Sequence, residues 1–182
     1  GVLIKEAKIN TLNGPLRNLE IDNLSIAKAR LDRAAFDKAS IQNLEISNVE
    51  YIGAYALAGA SIHKLVLRNV KDVKPLAFAG SDIKVIEIVE RDGYILRDGC
   101  LYNATSLIYC FDKSIGRYVC GKGLHRIFGA AFEGCDKLEY FESIHTNISI
   151  DENVFVGCNN LFEIKIATLQ QGVISRIFGS DK

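Results

Sequence analysis

Ile127-Phe128-Gly129-Ala130-Ala131-Phe132-Glu133-Gly134-Cys135-Asp136-Lys137-Leu138 is one copy of a unit that recurs along the chain. Each copy has an apolar anchor, usually after Ala: Ala35-Phe36, Ala56-Leu57, Ala77-Phe78, Ala131-Phe132 and Val154-Phe155. The first three anchors are 21 residues apart and the last two 23. An aliphatic stands five residues before each anchor, at Leu31, Ile52, Val73, Ile127 and Ile150. A small residue stands three after it, at Ala39, Ala60, Ser81, Cys135 and Cys158. A strand-like apolar pattern then follows: Ile41, Leu44, Ile46; Ile62, Leu65, Leu67; Ile83, Ile86, Ile88; and Leu161, Ile164, Ile166. Independent positions in phase mark a repeat architecture.

Each unit supplies a short strand with one apolar face and a turn held by a buried anchor. No unit can bury that face alone, so the units stack into a continuous core with strands ~4.8 Å apart. The expected fold is α/β, a right-handed solenoid over residues 1–182 as a single domain. Short parallel strands lie on its concave face and short helical or 3₁₀ turns on its convex face. Coils are anchored at Leu12, Phe36, Leu57, Phe78, Phe132 and Phe155, with a partial coil at Phe178. Leu12-Asn13-Gly14 followed by Leu16, Leu19 and Ile21 reads as a shortened first coil, with extra residues around Ala27–Arg30. The long interval from Phe78 to Phe132 contains Asp98-Gly99 between apolar β-formers, a hairpin signal. A hairpin-like insertion is therefore expected near 94–120. The missing Met and the end at Lys182, before the last strand, read as a piece of a longer chain.

Composition excludes several classes. The 182 residues carry 22 Lys+Arg against 22 Asp+Glu, and 48% are hydrophobic, which is too apolar and balanced for disorder. Zero net charge gives no basic footprint for nucleic acid. No apolar run approaches the ~20 residues of a membrane span. The start, Gly1-Val2-Leu3-Ile4-Lys5-Glu6, reaches charge too soon for a signal peptide.

The combined pattern, Ile-x-x-x-Ala-Phe-x-Gly-Cys-x-x-Leu, resembles the BspA-type leucine-rich repeats over nearly the whole chain. Asp98-Gly99-Cys100-Leu101-Tyr102-Asn103, followed by Leu107-Ile108, looks like that family's interrupting hairpin. The chain departs from the family in lacking the Pro that commonly follows the strand. Asn23, Asn48 and Asn69 are read as following the strands instead, and Ser143 replaces an apolar strand residue. The resemblance implies a cell-surface or secreted protein that binds other proteins. It brings no catalytic residue with it.

No Ser/His/Asp or Cys/His set can be assembled, so no enzyme activity and no cofactor are expected. Gly121-Lys122-Gly123 lacks phosphate-loop spacing. There is no Cys-x-x-Cys, and His63, His125 and His145 are isolated, so no metal site is expected. The Phe36, Phe78, Phe132, Phe155 and Phe178 series reads as a core spine. Cys135 and Cys158 occupy equivalent positions and read as buried thiols, although stacking also permits a disulfide in distance. Cys100, Cys110 and Cys120 lie in the hairpin region, where a disulfide among them is open. Asn23, Asn103 and Asn147 match the glycosylation pattern, with Asn103 the one of interest.

Two surfaces are candidates for a partner. One outward strand column reads Glu20, Glu45, Val66, Glu87, Glu142 and Lys165, with Tyr140 beside it. A solvated face explains it, and so does an acidic strip for a basic peptide or protein patch. The second is the hairpin segment with Tyr94, Tyr102, Tyr109 and Tyr118, since exposed Tyr favours interfaces. The expected function is a non-catalytic protein-recognition module of a surface or secreted adhesin-like protein. The alternative is a cytoplasmic scaffold or effector segment.

Overall fold

The Ile-x-x-Leu-x-Ile pattern forms strands because its three aliphatics point to one side, where stacking removes them from water. The computed structural model describes residues 3–10, 12, 14–89, 93–144, 147–167 and 173–178. The chain divides into two units, Gly1–Leu96 and Arg97–Lys182.

In the first unit β1 (Leu3–Ile9), β2 (Glu20–Ala27), β3 (Ser40–Val49), β4 (Ser61–Val70) and β5 (Asp82–Val89) form one parallel sheet in chain order. Ile21, Ile41, Ile62 and Ile83 are in register, as are Leu24, Leu44, Leu65 and Ile86. Ile26, Ile46 and Leu67 continue the inward face, and Phe36, Leu57 and Phe78 close it opposite. Each side chain so buried stabilises the stack by about 1.5–3 kcal/mol.

The first coil differs from the sequence reading. β2 carries Ile21, Leu24 and Ile26, the same pattern as Ile41, Leu44 and Ile46. Leu16 N–H bonds to Ala35 O, the coil-to-coil bond that Phe36 N–H makes to Ala56 O. The anchor of this coil is therefore Leu16, not Leu12, and Ala27 ends a regular strand rather than opening extra residues. Asn23 lies inside β2, whereas Lys28, Asn48 and Asn69 hold the left-handed position at the strand ends. β1 supplies a further strand ahead of that coil.

The turn side of the coils anchored at Phe36, Leu57, Phe78, Phe132 and Phe155 is not helical, which corrects the expectation of helical or 3₁₀ turns there. In the coil of Phe36, Ala35 N–H bonds to Asp32 O, Asp37 N–H to Ala34 O and Ala39 N–H to Phe36 O, three successive tight turns. The residue two before each anchor is left-handed: Ala34, Tyr55, Leu76, Ala130 and Asn153. So is the residue two after it: Lys38, Gly59, Gly80, Gly134 and Gly157. A left-handed residue every fourth position breaks an α-helix. It also frees N–H groups to bond to the next coil, as Ala34 does to Tyr55 O and Tyr55 to Leu76 O.

The second unit follows β6 (Ile95–Arg97), which runs through the division, and contains β7 (Cys100–Tyr102), β8 (Ser106–Cys110), β9 (Arg117–Val119), β10 (Arg126–Ile127), β11 (Tyr140–Ser143), β12 (Ser149–Ile150) and β13 (Glu163–Ile166). β12, β10 and β8 pair in parallel, and β7 joins β8 antiparallel. β13, β11 and β9 form a second parallel sheet. Asp98 and Gly99 both take positive φ, the backbone of a two-residue hairpin turn. The insertion does not protrude as a whole, because every residue of β8 is buried.

Phe132 and Phe155 stack at 5.6 Å, flanked by Phe141 and Tyr118, and this cluster is the core of the unit. α1 (Val173–Phe178) places Phe178 at the next anchor position: Asn153 and Phe155 donate their N–H groups to Arg176 O and Ile177 O. Ser143 is buried beside the Cys120 thiol.

Candidate recognition surface

The outward column of the first unit is set by register. Glu20 opens β2 opposite Ser40, so Ser25, not Glu20, stands opposite Glu45. The column continues to Val66 and Glu87. Glu45 accepts from Arg68 Nε at 3.3 Å, and Glu87 from Lys64 Nζ at 2.9 Å. Both cations sit on β4, diagonal to the acids they meet. Exposed pairs of this kind contribute under about 1 kcal/mol each. They neutralise the acids, so the strip is not a bare acidic groove.

The second unit has the denser outward chemistry. Tyr140 on β11 carries the Arg117 guanidinium 3.8 Å over its ring and the Lys165 ammonium at 5.1 Å. Its hydroxyl donates to Glu142 Oε2 at 2.6 Å, which Arg117 Nη2 also reaches at 3.5 Å. Lys165 pairs with Glu163 at 3.0 Å, and that carboxylate holds its pKa above the ordinary lysine value. Val119 lies opposite Glu142 and is 47% exposed.

Beside this face lies an open groove of about 720 Å³, lined by Arg97, Tyr102, Asp112, Ile115, Arg117 and Val119 among others. Arg97 stacks 5.1 Å over Tyr102, and among the described residues it makes no ion pair. Tyr102 and Tyr118 join hydroxyls at 3.1 Å. Burial raises the Tyr102 pKa to about 12 and lifts that of Tyr118 well above the ordinary tyrosine range. Asp112 accepts from Ser114 N at 2.9 Å and Ser114 Oγ at 2.6 Å, which keeps its carboxyl below the usual range.

The four hairpin tyrosines do not form one exposed patch. Tyr94, Tyr109 and Tyr118 are buried and Tyr102 half-buried. In the first unit Tyr94 Oη accepts from Val73 N at 2.8 Å. In the second, Tyr109 packs edge-on to Phe111 at 5.0 Å. Among the described residues of the second unit, the exposed large apolar side chains are instead Val119, Ile144 and Phe162, which sequence reasoning passed over. Val119 was findable, since Arg117-Tyr118-Val119 alternates polar, buried and outward.

Asn103 Oδ1 accepts from the N–H groups of Thr105 and Ser106 at 3.2 and 2.8 Å, so its amide shapes the β7–β8 turn. Among the described residues, no three His, Cys, Asp or Glu side chains form a group able to hold a metal ion. His145 lies outside the described residues. Among the described residues no helix is long and apolar enough to cross a membrane.

The model of the BspA type leucine-rich repeat region matches residues 29–162 and 108–180, in six copies. Among solved structures, the chain is similar to the pneumococcal vaccine antigen PcpA, with a TM-score of 0.56 at 16% identity, covering 90% of this chain and 60% of that one. It is also similar to a leucine-rich repeat protein from Eubacterium ventriosum, with a TM-score of 0.60 at 13% identity, covering 88% and 53%. No curated protein matches the chain. The likeness to the two solved structures shows a fold, and this chain spans little more than half of either.

Proposed function

From the premise that this chain belongs to the BspA-type leucine-rich repeat family, we propose that it is a non-catalytic protein-recognition module of a surface or secreted adhesin-like protein. Its binding face is the groove of the second unit together with the β9–β11–β13 surface. The observation that carries this reading is the pair of guanidiniums, Arg97 and Arg117, each laid on a tyrosine ring beside an open groove. A stacked guanidinium loses little freedom on binding; Arg97 presents its fork to a carboxylate, and Arg117 adds charge beside it while sharing Glu142 at 3.5 Å. Ile115 and Val119 add an apolar wall. The occupant that fits is an extended peptide segment with a carboxylate flanked by apolar side chains. A basic partner along the Glu45 and Glu87 column is disfavoured by the ion pairs those acids already make.

Selection of a displayed peptide library on the immobilised chain tests this. Enriched peptides should carry Asp or Glu beside apolar residues. An Arg97→Glu/Arg117→Glu variant that stays folded by circular dichroism should lose them, and Glu45→Lys/Glu87→Lys should keep them. Enrichment that survives the arginine reversals would overturn the assignment. A cytoplasmic scaffold is a second reading, favoured by Cys120 and Cys135 standing as buried thiols.

A further inference from the structure

We propose that Cys100 and Cys110 form a disulfide that closes the β7–β8 hairpin, using an external disulfide such as oxidised glutathione as the oxidant. The two residues face each other across the antiparallel pair. Phe111 N–H bonds to Gly99 O at 2.8 Å, while Cys110 N–H turns away to Ala131 O. Cys100 and Cys110 are therefore a non-hydrogen-bonded pair, with Cα atoms about 4.5 Å apart. That lies inside the roughly 4.4–6.8 Å range of disulfides. The sulfurs are 2.7 Å apart, so the bond needs a movement of about 0.7 Å and no rearrangement of the strands.

Gly99 makes the close approach possible, since a Cβ there would collide with Asp112 and lie 3.2 Å from its backbone nitrogen. Cys135 also contacts Cys110, but it follows an anchor turn and no strand pairing aligns its backbone with β8. Cys100 lines the groove wall but is only 1% exposed, so an oxidant reaches its sulfur when the hairpin opens locally. Its contact with the Cys100 sulfur, aided by burial, holds the proton on Cys110 and raises its pKa. Attack by Cys110 therefore speeds up as pH rises.

The step balances as thiol–disulfide exchange. The Cys100 thiolate attacks the external disulfide and expels one thiolate. The Cys110 thiolate attacks the Cys100 sulfur of the mixed disulfide and expels the second. Two protons pass from the cysteines to the two expelled thiolates. The cysteine pair is oxidised by two electrons and the external disulfide is reduced by two. The bond then fixes β7, and with it Tyr102 and the groove wall, to β8.

Trypsin cuts after Arg97 and Lys113, so both cysteines fall in one peptide, Asp98–Lys113, with no basic residue between them. The folded chain is incubated with oxidised glutathione, then unfolded in urea, alkylated and digested, and its peptides are weighed by mass spectrometry. The expected result is an Asp98–Lys113 peptide two hydrogens lighter and free of alkyl groups, while Tyr118–Lys122 and Ile127–Lys137 are alkylated. The oxidised protein should lose roughly 5–10 °C of thermal midpoint on adding reductant. A Cys100→Ser variant should lose none. Double alkylation of Asp98–Lys113 after oxidation, or its linkage to Ile127–Lys137, would overturn the proposal.

Discussion

Asn69 donates from Nδ2 to Oδ1 of Asn48 at 2.7 Å, and both residues sit in the left-handed region, at φ 49° and 54°. One side chain type serves two ends here: it tolerates the strand-ending backbone and links one coil to the next. Asn69→Val should cost about 2–3 kcal/mol, from the backbone penalty and the lost bond together. Asn69→Gly keeps the backbone and loses the bond, so about 1 kcal/mol is expected. Urea denaturation of the three proteins measures both.

Gly134 and Gly157 share a repeat position and a left-handed φ, 69° and 75°, but not the same surroundings. A Cβ on Gly157 would lie 3.2 Å from Cα and N of Gly134, whereas one on Gly134 meets nothing within 4 Å. Gly134→Ala should cost about 1–2 kcal/mol from conformation alone. Gly157→Ala should cost more, because the coil below must also give way. Equal losses in denaturant midpoint would contradict the stacking described.

Phe132 is fully buried and touches Tyr118, Phe141 and Phe155. Phe132→Ala should destabilise by about 3–5 kcal/mol. Phe162→Ala, at a side chain 76% exposed, should change stability by no more than about 0.5 kcal/mol. Thermal melts of the two variants give the contrast.

Stability should fall in alkali. Burial raises the Cys120 pKa to about 11 and that of Tyr102 to about 12. These groups are neutral when protonated, and the folded state holds their protons more tightly than the unfolded chain does. Their contribution is complete below the unfolded values of about 8.5 and 10 and is lost as pH rises through 11 and 12. The urea midpoint should be flat from about pH 7 to 8.5 and decline above that. Tyr102→Phe should shallow the decline above about pH 10. A flat profile through that range would contradict the burial assigned to the pair Tyr102–Tyr118.

Much of the fold was legible because the inward pattern is local. Ile41, Leu44 and Ile46 announce a strand by themselves, and Phe132 with Phe155 announces a spine. The first coil was legible too: Ile21, Leu24 and Ile26 carry the same signature, and Leu12 diverted the reading from it. The turns were less so. Ala34, Tyr55 and Leu76 are left-handed against their intrinsic preference, and a bond from the neighbouring coil holds each of them there. No single unit reveals that bond.

The candidate site divides in the same way. The sequence alone determined the repeat period, the buried anchors and the Asp98-Gly99 turn. Tertiary structure decided which outward residues share a row, which cation meets Glu45 and Glu87, and which tyrosines are buried. It also brought Cys100 and Cys110 face to face and set Arg97 and Arg117 on their rings. The reason is physical. Inward positions answer to water, which is the same for every coil and writes one pattern into the chain. Outward positions answer to a neighbour about 4.8 Å away across the sheet, and register alone says which residue that neighbour is.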